Sequence, residues 1–346
     1  MVKKYLSISL ILLVAIFVTY AMTSLGQNAT NSKVSPSADT ELLGPLSDKN
    51  PPNDPSLEIR AWTNCIHEDN EGTMWFGTRD WGVIKYDGDT LVYLTVNDGL
   101  GGNIVRDMVE TEDGTLWLAT SNGVSSVRED SFETFYINDG LGSNDLYSLE
   151  ISQDGSLWIG SEAGVSVLKN GDFTEFSLPA VKADSVNFVR SGTIVHDILE
   201  DSKGNMWFGT NGGAFKFDGS SLSHLNEESG LCGNAVKSIL EDDQGNIWFS
   251  THDGGACVWN CTEFSNVKTE LDPHGSLATS GLFQDSQGNV WIPTDHVSMF
   301  RYENGRVHKM FQPQGCISHA LRTTYEDSKG RLWFGGWLGV YRLDPI

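Results

Sequence analysis

Residues 206–219 read Met206-Trp207-Phe208-Gly209-Thr210-Asn211-Gly212-Gly213-Ala214-Phe215-Lys216-Phe217-Asp218-Gly219, and this stretch decides the fold. Met206 to Thr210 is a short apolar strand, Asn211-Gly212-Gly213 is a turn, and Ala214 to Phe217 alternates as a half-buried strand does. Asp218-Gly219 supplies two positive φ angles for a tight hairpin turn, which opens a fourth strand around Leu222 to Leu225. Upstream, Ile194, Val195 and Ile198 form another apolar run, and it enters the Trp strand through a turn bearing Asp201 and Gly204. An Asp three residues before the Gly can accept from backbone two residues on, while the Gly takes the positive φ that closes the turn. The unit is a four-stranded meander.

The unit recurs along the chain, anchored on Trp75, Trp117, Trp158, Trp207, Trp248, Trp291 and Trp333, at spacings of 42, 41, 49, 41, 43 and 42 residues. A strand-rich period of this length is a propeller blade, so the expected fold is all-β: a seven-bladed β-propeller with four-stranded antiparallel blades. One large ring per blade at one strand position packs between neighbouring sheets and needs no ligand to explain it. The last unit ends without a fourth strand. Leu57 to Arg60 is expected to fill that place against Val340 to Leu343, with Glu41 to Leu43 as the second candidate.

Around this body the chain has two other parts. Lys3 and Lys4, an apolar run from Leu6 to Met22, and small residues up to Gly26 have the order of a signal peptide, which would make residues 1–26 a cleaved leader. Left uncleaved, the segment would anchor the chain to a membrane, the one membrane contact expected. Residues 27–55 are rich in Asn, Ser, Pro and Asp and read as a flexible linker, leaving 56–346 for the propeller. The localisation expected is periplasmic or secreted. Composition excludes one class of partner: 46 acidic against 23 basic residues give a formal charge of −23, which repels nucleic acid. The five cysteines, Cys65, Cys232, Cys257, Cys261 and Cys316, leave at least one thiol over, and the sequence alone gives no pairing.

The units resemble the two-component regulator propeller repeat of bacterial sensor proteins. The residues that carry the resemblance are Trp75-Phe76-Gly77-Thr78 with Gly82-Val83-Ile84-Lys85-Tyr86-Asp87-Gly88, Asn97-Asp98-Gly99-Leu100, Asn138-Asp139-Gly140-Leu141 and Trp207-Phe208-Gly209-Thr210. The resemblance implies an extracytoplasmic module that senses a ligand or partner, often carbohydrate. Such repeats are usually joined to a β-sandwich, a membrane span and a histidine kinase; none follows here, so a stand-alone module is expected. A more distant resemblance, to the streptogramin lyase propellers, supplies an enzyme alternative.

Differences between the copies point to a site. In a meander, the loops after strands two and four share one face and the tight turns share the other. Eight residues before each first-turn Gly stand Asn64, Arg106, Tyr147, His196, Lys237, Ser280 and Arg322, a varied polar column beside the aliphatic Val105, Leu146, Val195, Val236 and Leu321. That is what the mouth of a channel would show, with solvated channel residues the plainer alternative.

Loops after strand two add Arg79, Asp80 and Trp81 in unit one and Trp337 in unit seven, which closure makes neighbours. Two exposed rings could stack on a sugar, with rim packing as the rival. His252 and Asp253 with Asp295 and His296 could hold a divalent ion if the four converge. Otherwise no metal is expected, and no cofactor. Nucleophile motifs and phosphate loops are missing from the sequence, so the reading is ligand binding, with an oligosaccharide or an exported protein as partner. The alternatives are a propeller lyase or hydrolase and an interaction scaffold.

Overall fold

A computed structural model of the chain describes residues 59–128, 131–181, 192–252, 254–267, 281–294, 299–310, 321–337 and 339–343. Their strands form seven antiparallel sheets, and within each sheet strands adjacent in sequence are adjacent in space. The protein is a seven-bladed β-propeller. Blade 1 gives the plan, with Thr63–Glu68, Met74–Thr78, Val83–Tyr86 and Leu91–Leu94 running outward from the axis. The innermost strands that follow are Val105–Glu110, Leu146–Ile151, Val195–Glu200, Val236–Glu241, Phe283–Gln284 and Leu321–Glu326. In blade 4 the fourth strand is Leu222–Leu225, directly after the Asp218-Gly219 turn.

The Trp column packs between sheets. Trp158 meets Phe208 of the next blade at 5.8 Å between ring centroids, Trp207 meets Phe249 at 5.8 Å, and Trp291 meets Phe334 at 5.6 Å. Trp333 meets Phe76 at 5.6 Å, so the last blade packs on the first by the same contact. The first-turn Asp also serves the ring: Asp201 Oδ1 accepts from the amides of Lys203 and Asn205, while Oδ2 accepts from Trp207 Nε1 at 2.9 Å. The same indole bond reaches Asp69, Asp242, Asp285 and Asp327 at 2.7–2.8 Å. Burial pushes the Asp201 and Asp327 carboxyls up, but the indole and turn donors outweigh it and hold both below the usual range. Blades 2 and 3 carry Thr111 and Ser152 instead, and there Trp158 Nε1 is buried with no hydrogen-bond partner.

A second blade-to-blade link is made by the carboxylates that end the innermost strands. Glu241 takes the amide and hydroxyl of Ser202 in the preceding blade, and Glu326 takes those of Ser286. Glu68 binds Ser328 in the same way across 260 residues of sequence, joining blade 7 to blade 1.

Among the described residues blade 7 has three strands, Leu321–Glu326, Leu332–Gly336 and Gly339–Leu343. Ile59 stands where a fourth strand would end. Its carbonyl accepts from Val340 N–H at 2.9 Å, and a Cβ on Gly339 would lie 2.0 Å from that oxygen. In blade 4 the corresponding Gly213 stands 2.3 Å by the same measure from the carbonyl of Leu225, the last residue of a true fourth strand. Ile59 and Ala61 are buried against Trp333, Val340 and Phe76. Of the expected closing segment, Ile59 and Arg60 are thus in place; Leu57, Glu58 and the second candidate, Glu41 to Leu43, lie outside the described residues. Among the described residues no helix is long and apolar enough to cross a membrane; residues 1–26 are outside them.

Candidate binding face

The polar column has a structural cause. In six blades the innermost strand slips register by one residue against its neighbour: between Thr63 and Cys65, Val105 and Asp107, Leu146 and Ser148, Val195 and Asp197, Val236 and Ser238, and Leu321 and Thr323. The residue skipped is Asn64, Arg106, Tyr147, His196, Lys237 or Arg322. A bulge leaves one residue unpaired and re-aims its side chain. Alternation would otherwise place this position on a fixed side of the blade; the bulge frees it from that alternation. Ser280, the member from blade 6, lies outside the described residues.

The side chains meet one another from blade to blade. Asn64 Nδ2 donates to Val105 O at 2.9 Å, tying blade 1 to blade 2. Arg106 lays its guanidinium over the Tyr147 ring at 4.4 Å and pairs with Asp145 at 2.7 Å. The Tyr147 hydroxyl donates to Asp145 at 3.3 Å, and its ring meets His196 edge-on at 5.5 Å. Burial, then the Asp145 charge, raises the Tyr147 phenol, so it stays protonated. Lys237 Nζ lies 2.8 Å from His196 Nε2 and 3.2 Å from Asn211 Oδ1. Burial, then the Lys237 charge, pushes His196 down to about 3. His196 Nε2 also lies 2.7 Å from Asn211 Oδ1, so His196, Asn211 and Lys237 form one polar cluster around a neutral imidazole. Arg106, Tyr147, His196 and Lys237 therefore make one continuous arc across blades 2 to 5.

One residue further along, Asp107 and Asp197 bind the blades from below the arc. Asp107 Oδ2 accepts from Leu149 N–H and Asp197 Oδ2 from Ile239 N–H, each at 2.7 Å and each in the next blade. Burial raises both carboxyls to about 7, against the lowering pull of those amides. Glu150, which accepts from Glu200 N–H, is raised by burial to about 8.

At blades 7 and 1 each loop ring has a ring neighbour. Trp81 and Trp337 are 41% and 43% exposed. Trp337 lies against Trp62 at 4.6 Å between ring centroids, tilted by 33°, whereas Trp81 leans on Tyr93 of its own blade at 6.1 Å. Both rings are exposed, as expected; the ring neighbour of Trp337 is Trp62, and the amide of Trp81 donates to Thr78 Oγ1. Arg79 Cζ sits 4.0 Å and Arg322 Cζ 5.3 Å from the centroid of Trp62. Asp80 is exposed beside them. Two functional candidates were missed, Trp62 and Asp145. Both stand two residues before the bulge, where other blades carry Ile104, Ile194 and Ala235, and that contrast was readable.

On the same face a disulfide joins Cys232, in the loop entering blade 5, to Cys257, with Cα atoms 5.8 Å apart. The loop after Thr251 passes so closely that a Cβ on Gly254 would lie 1.8 Å from Cys232 O. Cys65 and Cys261 are free thiols, and burial pushes the Cys65 thiol up. Of the metal candidates His252 is exposed, while Asp253, Asp295 and His296 lie outside the described residues; no group of three or more metal-ligating side chains occurs among those described. On the opposite, turn-bearing face a polar cleft of about 520 Å³ opens between blades 5 and 6, lined by Asn246, Gln284, Tyr302 and Asn304 among others.

The class these features define is a seven-bladed β-propeller whose innermost strands carry, in six blades, a bulged and chemically varied residue. Residues 57–80, 99–122, 190–212 and 230–253 match the Two component regulator propeller family, and each match covers the two inner strands of a blade. Four of the seven repeats thus match that family. No curated protein matches the sequence. Among solved structures, the chain is similar to the extracellular domain assigned to a hybrid two component system, BT3049, from B. thetaiotaomicron, at 21% identity and a TM-score of 0.67. That match covers 82% of this chain but 40% of that domain. Virginiamycin B lyase from Staphylococcus aureus, solved with quinupristin, aligns at 13% identity and a TM-score of 0.67, over 84% of this chain and 98% of the lyase. PorZ, a surface component of the type-IX secretion system of Porphyromonas gingivalis, aligns at 15% identity and 0.65, over 82% of this chain and 46% of PorZ. At these identities the likeness is one of fold.

Proposed function

We propose that this propeller is a binding or sensing module that works outside the cytoplasm and takes an oligosaccharide at the bulge-lined mouth of its axis. The observation that carries the reading is the bulge column: six blades place one unpaired residue at the same position of the innermost strand, and those residues differ from blade to blade while the framework around them repeats. A sugar needs that mixture of flat aromatic faces for C–H surfaces and directional donors and acceptors for hydroxyls. The Cys232–Cys257 bridge suits an oxidising compartment. The sensor repeats and the extracellular source of one structural neighbour point the same way. A lyase would want a base poised near neutral pH; His196, held near 3 beneath an ammonium, is set for structure instead.

The test is a thermal-shift screen of the full chain against oligosaccharides, with and without calcium, each ligand solution being analysed afterwards for breakdown. A ligand at ~100 times its Kd should add roughly 2.7 kcal/mol. A shift with intact ligand supports the reading. A changed ligand makes the protein an enzyme, and no shift with any sugar turns the search to an exported protein partner.

A further inference from the structure

We propose that blades 7 and 1 carry an anion seat, made by Arg79 and Arg322 gathered on the indole of Trp62 beside the exposed ring of Trp337, so that the oligosaccharide this face takes bears carboxylate or sulfate groups. The inference rests on the reading above and narrows its ligand class.

Both guanidiniums lie within 5.3 Å of one ring centroid, on neighbouring blades. In a chain with 46 acids for 23 bases a cation finds a carboxylate easily, as Arg106 finds Asp145, Arg301 finds Glu303 and Arg331 finds Asp327. Among the described residues no carboxylate lies within ion-pair distance of Arg79 or Arg322. Each is held instead by the face of an indole, which attracts a cation without neutralising it. Two positive charges are thus kept on one ring, and their mutual repulsion falls when an anion arrives.

Two donors at the same place are also unmet. Arg322 Nε and Trp62 Nε1 are out of water, with no acceptor among the described residues. A buried donor left without a partner is costly, and an oxyanion that draws in the guanidinium offsets that cost. A guanidinium presents donors in a fork that matches the two oxygens of a carboxylate or sulfate. Trp337, packed at 4.6 Å against Trp62 and 43% exposed, extends the seat with a flat ring on which the sugar bearing the anion can lie. Elsewhere the field of the protein repels anions, so this seat gives specificity as well as affinity.

The experiment is a titration of the full chain with matched pairs of oligosaccharides: galacturonate oligomers against their carboxyl-reduced forms, and sulfated disaccharides against desulfated ones. The acidic member of at least one pair should bind ten- to a hundred-fold more tightly, with affinity falling as sodium chloride rises. Arg79→Gln should abolish the preference while leaving the melting temperature in place, because Arg79 is exposed and its contact is with one ring face. Arg322→Gln should do the same, and the pair that responds tells a uronate from a sulfate ester. Equal binding of acidic and neutral members, or an undiminished preference in Arg79→Gln, overturns the anion seat and leaves the oligosaccharide reading standing. No binding by any member removes both.

Discussion

Replacing Asp201 by Ala strips an acceptor from Trp207 Nε1, a fully buried indole, and from the turn amides of Lys203 and Asn205. Water can re-solvate the exposed amide of Lys203 but cannot reach the indole. A hydrogen bond to a charged acceptor is worth about 1.5–3 kcal/mol net, and an unmet buried donor costs a further share, so the loss should be about 3 kcal/mol. For a domain of this size that is a fall of roughly 5–10 °C in Tm. Asp201→Asn, which keeps one oxygen, should lose less. The chain also offers the converse. Trp158 Nε1 is buried without a partner where Ser152 stands in the Asp position, so Ser152→Asp should raise stability by about 1 kcal/mol. Urea and thermal unfolding measure all three. If Asp201→Ala stays within about 0.5 kcal/mol of the parent, the carboxylate–indole bond is not what fixes the blade turn.

Glu68→Ala removes the two bonds that join blade 7 to blade 1, and Glu241→Ala removes the same two bonds at an internal junction. Both should be destabilising, and the first should also speed unfolding more in a denaturant jump; equal unfolding rates would mean that the ring does not open at this junction. For pH, Asp107, Asp197 and Glu150 have folded-state values raised to about 7, 7 and 8, so the folded state binds more protons than the unfolded chain above about pH 4.5. Stability should therefore rise as pH falls from 8.5 to 6.5, by on the order of 1–2 kcal/mol per group, and Glu150→Gln should flatten that slope. The depressed His196 acts the other way below about pH 6.5, where the two effects overlap, so the interval from 8.5 to 6.5 isolates the carboxyls. Reducing the Cys232–Cys257 bridge, which closes 25 residues, should cost about 3 kcal/mol; a Tm unmoved by reductant would contradict this.

The fold was legible because a blade is local: Trp207, Gly204, Asp201 and Asp218-Gly219 set strand, turn and register within one unit, and the unit repeats. The bulge column was legible as an anomaly, since His196 and Lys237 stand where aliphatic neighbours repeat, although nothing short of register showed that they sit on bulges. What depends on loop path was not legible. Trp81 and Trp337 belong to adjacent blades, yet Trp62, entering from the closing segment, takes the place beside Trp337. Cys232 and Cys257 meet only because the Gly254 loop crosses Cys232. Asp145 and Trp62 were overlooked because a residue just before a strand reads as a loop, and their column had to be compared across blades to stand out.

A ligand held at the bulged residues covers one face of the propeller and leaves the turn face open. Hydrogen exchange of the full chain, with and without a sugar that shifts its melting temperature, reads this segment by segment. Protection at residues 62–64, 79–81, 104–106, 145–147, 194–196 and 235–237, with the turn-face cleft of Asn246, Gln284 and Asn304 unchanged, is the predicted result. Protection confined to that cleft, with the bulge segments exchanging as before, would contradict it.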